Sequence, residues 1–125
     1  MQKEGKVSLW LGNFSDEESF REFMEIKYTN DGDSIQSEFK KQFKIEYYDI
    51  DFSEVDYTEE QSNDLKVLLE GFSNDYEIIP KFKEKYSGNM YNSIVLLYDF
   101  EYDNNINYKN GNNILEFIGC VDYSK

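Results

Sequence analysis

The stretch Ser93 to Tyr102 (SIVLLYDFEY) constrains the fold more than any other part of the chain. Its first half is almost continuously apolar, which is how a central strand covered on both faces reads, whereas a half-exposed strand alternates from its first residue. From Tyr98 onward the pattern does alternate. Asp99, Glu101 and Asp103 are expected on one side, with Tyr98, Phe100 and Tyr102 on the other. Residues Asn104 to Asn112 form a polar, Asn-rich loop, and Asn113 to Val121 (NILEFIGCV) reads as a return strand. The C-terminal part is therefore expected to be a β-hairpin.

Upstream, Lys6 to Gly12 (KVSLWLG) reads as a strand with Val7, Leu9 and Leu11 on one face and Ser8 and Trp10 on the other. Ser15-Asp16-Glu17-Glu18 has the form of a capping box, with Ser15 as N-cap and Glu18 reaching back. The helix behind it should turn Phe20, Phe23, Met24 and Tyr28 toward the core. Asn30 to Asp33 is a turn. A second helix is expected over Ser34 to Phe43, burying Ile35, Phe39 and Phe43 at i, i+4, i+8. A strand falls within Glu46 to Asp56. A third helix starts near Ser62 or Asn63, carries Leu65, Leu68 and Leu69, and stops at Gly71. A fourth lies between Asn74 and Tyr86, with Ile78, Ile79 and Phe82 inward and Pro80 kinking it or sitting near its start. The order β-α-α-β-α-α-β-β points to an α+β fold: a small mixed sheet of about four strands covered by helices. With 125 residues, no internal repeat and no Pro- or Gly-rich linker, residues 1–125 are expected to form a single domain.

Charge narrows the choice of partner. Twenty-six acids against 13 bases leave a net charge of −13 at neutral pH. Nucleic acid and anionic membrane both demand a positive footprint, so direct binding to either is not expected. An acidic surface instead steers a basic protein partner, or serves solubility alone. No run of about 18 apolar residues and no signal-peptide core is present, which places the expected location in the cytoplasm.

Catalytic chemistry has little to work with. Histidine is absent and Cys120 is the one cysteine, lying in the apolar run Phe117 to Val121, where it is expected to be buried. Thiol–imidazole and Ser–His–Asp catalysis, Cys/His zinc sites and disulfides are thereby removed. There is no Gly-rich phosphate loop. Carboxylates alone remain: Asp99, Glu101 and Asp103 on one strand face, and Asp49 and Asp51 on another. Such groups can bind a divalent cation or cleave glycosides, yet the Asp49 to Asp56 stretch lacks the spacing of a calcium loop. No cofactor, no metal and no enzymatic activity are expected.

The segment Glu46 to Glu60 (EYYDIDFSEVDYTEE) contains no basic residue. It interleaves Glu46, Asp49, Asp51, Glu54, Asp56, Glu59 and Glu60 with Tyr47, Tyr48, Phe52 and Tyr57. Aromatics are enriched in interface cores, and surrounding acids match a basic partner. The same pattern also fits a strand whose aromatics are core and whose acids are solvated. As a partner-binding surface the expected residues are Glu46, Tyr48, Asp49, Asp51, Glu54, Asp56 and Tyr57, joined by Asp99, Glu101 and Asp103.

Several words of the chain resemble one family. They are Val7-Ser8-Leu9-Trp10-Leu11-Gly12-Asn13-Phe14, Leu68-Leu69-Glu70-Gly71-Phe72-Ser73, Leu96-Leu97-Tyr98-Asp99-Phe100-Glu101-Tyr102 and Phe117-Ile118-Gly119. In this order and spacing they are similar to the immunity protein 22 family of bacterial polymorphic toxin systems, over Val7 to Tyr123. The resemblance implies a cytoplasmic antidote that neutralises a cognate toxin domain by tight binding. A nuclease toxin, basic at its cleft, is the partner it suggests. The family has no catalytic motif to carry across. A cytoplasmic adaptor that binds a protein unrelated to toxins is the other reading open to such a chain.

Overall fold

A computed structural model of the chain describes residues 2–86 and 88–124. Among these, five strands form one sheet in the order β4-β5-β1-β7-β6, comprising β1 (Gln2–Asn13), β4 (Ser53–Ser62), β5 (Tyr91–Phe100), β6 (Asn107–Asn110) and β7 (Asn113–Asp122). Every neighbouring pair is antiparallel, so the sheet is not the mixed one expected from the sequence, and it has five strands instead of about four.

Helices cover both faces. Val7, Leu9 and Leu11 of β1 join Ile94, Leu96 and Tyr98 of β5 on one face. There they pack against Leu65, Leu68 and Leu69 of α3 (Leu65–Leu69) and Ile78 and Phe82 of α4 (Asp75–Lys83). On the other face Trp10, Val95, Leu97 and Leu115 meet Phe20 and Phe23 of α1 (Glu17–Met24) and Phe39 and Phe43 of α2 (Glu38–Phe43). The first core is mostly aliphatic and the second mostly aromatic. Trp10 is fully buried among the rings of Phe39, Phe43, Tyr102 and Phe117, with centroids 5.1–5.9 Å away. All ten residues of β5 are buried, as the apolar run requires.

The C-terminal hairpin is built differently from the expectation. β1 lies between β5 and β7, pairing Leu9 with Leu96 on one side and with Gly119 on the other. The hairpin partner of β7 is β6, closed where Asn110 faces Asn113 across a two-residue turn containing Gly111 at φ 60°. A strand as apolar as β5 is best satisfied with neighbours on both edges, and β4 and β1 provide them.

Local chemistry accounts for the other departures. The N-cap of α1 is Asp16, not Ser15: its carboxylate accepts from the Ser19 amide and hydroxyl, both at 2.8 Å. Helix α1 ends at Met24, because Glu25 is extended, and the chain then forms a two-residue ladder of β2 (Lys27–Tyr28) with β3 (Ser34–Ile35). Ser37 caps α2 through the Lys40 amide, so the second helix starts at Glu38 and not near Ser34. Tyr28 and Ile35 consequently leave the core and stand exposed. Asp64 caps α3, and Gly71, at φ 90°, supplies the left-handed turn beyond it. Pro80 sits inside α4 on its exposed side.

Candidate functional site

The segment that runs from the end of α2 into β4 carries most of the residues singled out in the sequence, and one turn of 3-10 helix, Ile50–Phe52, organises its first part. Asp49 starts that turn by accepting the Asp51 amide at 3.0 Å, and Ser53 closes it by donating its hydroxyl to the Ile50 carbonyl at 2.7 Å. The turn directs Ile50 one way and Asp51 and Phe52 the other. Ile50 joins Tyr28, Ile35 and Tyr47 in lining a groove of about 240 Å³. These four side chains are 58%, 68%, 42% and 62% exposed, an apolar patch that the core does not use.

On the other side of the turn, Asp51, Phe52 and Glu54 form one wall of a concavity of about 300 Å³. Ser73 and Asn74, in the α3–α4 loop, and the rings of Tyr98 and Tyr123 complete it. Ser73 is held from three directions. Its amide and hydroxyl donate to the Glu54 carboxylate at 2.9 and 3.1 Å, and its carbonyl accepts the Tyr98 hydroxyl at 2.6 Å. Tyr123 packs edge-on to Tyr98, with centroids 5.3 Å apart, and donates its hydroxyl to Asp99 at 2.8 Å. Burial first, then the Glu54 carboxylate, pushes the Tyr98 phenol up. Burial and the hydrogen bond to Asp99 do the same to Tyr123. Both phenols therefore stay protonated across the physiological range.

The ten residues expected to bind a partner are distributed unevenly. Glu46 and Asp103 line one concavity together with Lys44 and Tyr47. Asp51 and Glu54 share the aromatic-walled one, and Glu54 and Asp56 border a shallow groove beside Glu70. Asp56 also stands 3.9 Å from Arg21. Tyr48 is buried against Phe39, and Tyr57 stacks on Phe20, so both serve mainly as core. Glu101 pairs with Lys3 at 3.5 Å.

Asp99 does not share a surface with the others. It is 6% exposed, adopts φ 55° and accepts the Gly5 amide at 3.0 Å. This bulge reverses the alternation of β5, so Tyr98 faces α3 and α4 while Phe100 and Tyr102 join the aromatic core. The three aromatics expected on one side are thus split.

Sequence reasoning missed Tyr28, Ile35, Ile50, Ser73, Tyr98 and Tyr123 as surface or cavity residues. For Tyr28 and Ile35 the misplaced helix limits hid the signal; for Ser73 and Tyr123 no local pattern carries one. Cys120 is half-buried, and burial pushes its thiol up, away from nucleophilic use. Among the described residues no group of three or more His, Cys, Asp or Glu side chains is arranged to hold a metal ion, and no helix is long and apolar enough to cross a membrane.

No curated protein and no solved structure shows detectable similarity to the chain. A family model does match: that of Immunity protein 22, over residues 7–124. The match takes in both cores, the 3-10 turn and all the cavity residues described above, and on its extent the chain belongs to the Immunity protein 22 family.

Proposed function

We propose that this chain is the cytoplasmic antidote to a bacterial toxin domain, a nuclease by its expected charge, and that it acts by covering the toxin's basic cleft. Membership of an immunity protein family supports a toxin-neutralising role in general. The observation that carries the more specific reading is the surface from Glu46 to Asp56. Here Tyr47, Ile50 and Phe52 stand 62%, 58% and 45% exposed between Glu46, Asp49, Asp51, Glu54 and Asp56.

Exposed aromatic and branched side chains set among carboxylates, with Lys40 and Lys44 at the groove edges, have the anatomy of a hot spot with a mainly acidic steering rim. The net charge of −13 raises the encounter rate with a basic protein, and the apolar side chains supply the burial that slows dissociation. Glu101 and Asp103 extend the acidic rim at the end of β5, and Asp99 stabilises the wall from beneath. Inhibition is steric and electrostatic, and no residue of this chain acts as a catalyst.

The test is co-purification and titration against the product of the neighbouring gene. The expected result is one stoichiometric complex that silences a toxic activity and whose association rate falls steeply with salt. Weak binding to several unrelated proteins, with no toxicity to silence, would overturn the reading in favour of an adaptor.

A further inference from the structure

The concavity between the 3-10 turn and the α3–α4 loop has walls of a consistent chemistry. Every side-chain hydroxyl on it is already committed, as is one N–H of the Asn74 amide. The Tyr98 hydroxyl donates to the Ser73 carbonyl, the Ser73 hydroxyl and amide to Glu54, and the Tyr123 hydroxyl to Asp99. The Asn74 side-chain amide donates to the Ser124 carbonyl at 2.8 Å. What the hydroxyls and carboxylates present to the cavity is lone pairs. The Asp51 carboxylate makes no hydrogen bond or ion pair among the described residues, and no lysine or arginine lines the space. The rest of the wall is ring: Phe52, 45% exposed, with Tyr98 and Tyr123.

These walls select among ligand classes. An anion meets the negative charge of Asp51 and Glu54 and a wall made mostly of acceptors. A purely apolar group would strip water from Asp51 without replacing its hydrogen bonds. A ligand that only accepts hydrogen bonds finds at most one side-chain donor, the second N–H of the Asn74 amide. A guanidinium matches each feature: it has five donors and no acceptor, carries positive charge, and its weakly hydrated flat faces stack on aromatic rings. An ammonium satisfies the charge but gains less from the rings.

We propose that this concavity is a socket for one arginine side chain of the partner, with Asp51 as the charge partner and Phe52 as the stacking surface. Glu54 and Tyr98, fixed through Ser73, form its rigid floor. The socket gives the basic partner a defined point of registration beside the apolar groove on the far side of Ile50. It rests on the reading that this face meets a basic protein, but its chemistry can be tested without the toxin.

The experiment is an NMR titration of the isotopically labelled chain with N-acetyl-arginine amide, and with N-acetyl-citrulline amide as the uncharged isostere. The expected result is saturating shifts at the Asp51, Phe52, Ser73 and Asn74 amides with the arginine probe. The citrulline probe should bind about tenfold more weakly or worse, because its hydrogen bonds lack the charge. Asp51→Asn should weaken the arginine probe by a similar factor. Unchanged amide shifts elsewhere in that variant would show that the fold is kept. No saturation, equal binding of both probes, or indifference to Asp51→Asn would overturn the socket. A toxin complex that forms normally alongside any of these would leave the antidote function standing and remove only this mode of contact.

Discussion

A Cβ placed on Gly12 would collide with the Ile114 carbonyl oxygen and lie 2.9 Å from Leu115 Cα, both rigid backbone atoms of β7. At Gly119 the added atom would instead meet the flexible side chain of Lys85. Gly12→Ala is therefore expected to cost about 2 kcal/mol or more, and Gly119→Ala under about 1 kcal/mol, in urea unfolding monitored by Trp10 fluorescence. Tyrosines give a second outcome at this scale. Burial pushes the Tyr102 phenol up to about 12, while its hydroxyl donates to the Phe43 carbonyl at 2.7 Å. The folded state thus holds the phenol proton more tightly than the unfolded chain, whose tyrosines ionise near pH 10. That contribution is fully present below pH 10 and is lost as pH rises toward 12. The urea midpoint should fall across this window, and Tyr102→Phe should make the fall shallower. Some of this detail was legible in the sequence: Trp10 opposite Val7, Leu9 and Leu11 follows from a period of two. Asp99 was not, because strict alternation holds only until a residue takes positive φ, and nothing in the word Tyr98-Asp99-Phe100 announces the bulge.

Elements were legible where one periodicity ran long enough. β5, α3 and α4 stand close to where their apolar patterns put them. Two consecutive apolar strands invite direct pairing, so the sequence points to a β5–β7 hairpin that the structure does not form. In the structure β1 is threaded between them, a long-range partner that no local pattern specifies. The turn at Asn110 to Asn113 did carry a signal, Gly-Asn between short polar arms, but Asn-rich arms read as loop. Ile35, Phe39 and Phe43 keep helical spacing, which extends the expected second helix back to Ser34, whereas the Ser37 hydroxyl caps it at the Lys40 amide. This arrangement predicts an order of opening. Amides of β5 and of Val7 to Gly12 in β1, flanked by strands on both edges and buried on both faces, should exchange only through global unfolding. Those of β2 and β3, two residues each, with Lys27, Tyr28 and Ile35 exposed, should exchange orders of magnitude faster. Hydrogen exchange followed by NMR checks this, and comparable protection in the two regions would contradict the assigned layers.

Across the whole molecule, exposed carboxylates and exposed apolar side chains meet along the segment from Glu46 to Asp56. The sequence located its acids and the aromatic run of 46–60, whereas the fold decided which of them remain outside. Tyr48 and Tyr57 turned inward, while Tyr28 and Ile35, from a distant segment, came alongside Tyr47 and Ile50. Because exposed charges act within a Debye length of about 8 Å at physiological salt, steering should fade as salt rises, while the apolar contacts persist. Phe52→Ala should therefore raise the dissociation rate with little change in association rate. The most direct test of the account is the association rate and protective titre of the Asp51→Lys, Asp56→Lys double variant against the toxin domain, measured from low to high salt beside the unaltered chain. The account predicts association slowed at least about tenfold at low salt, convergence at high salt and loss of protection. A variant that keeps its fold, binds as fast and protects as well would contradict it.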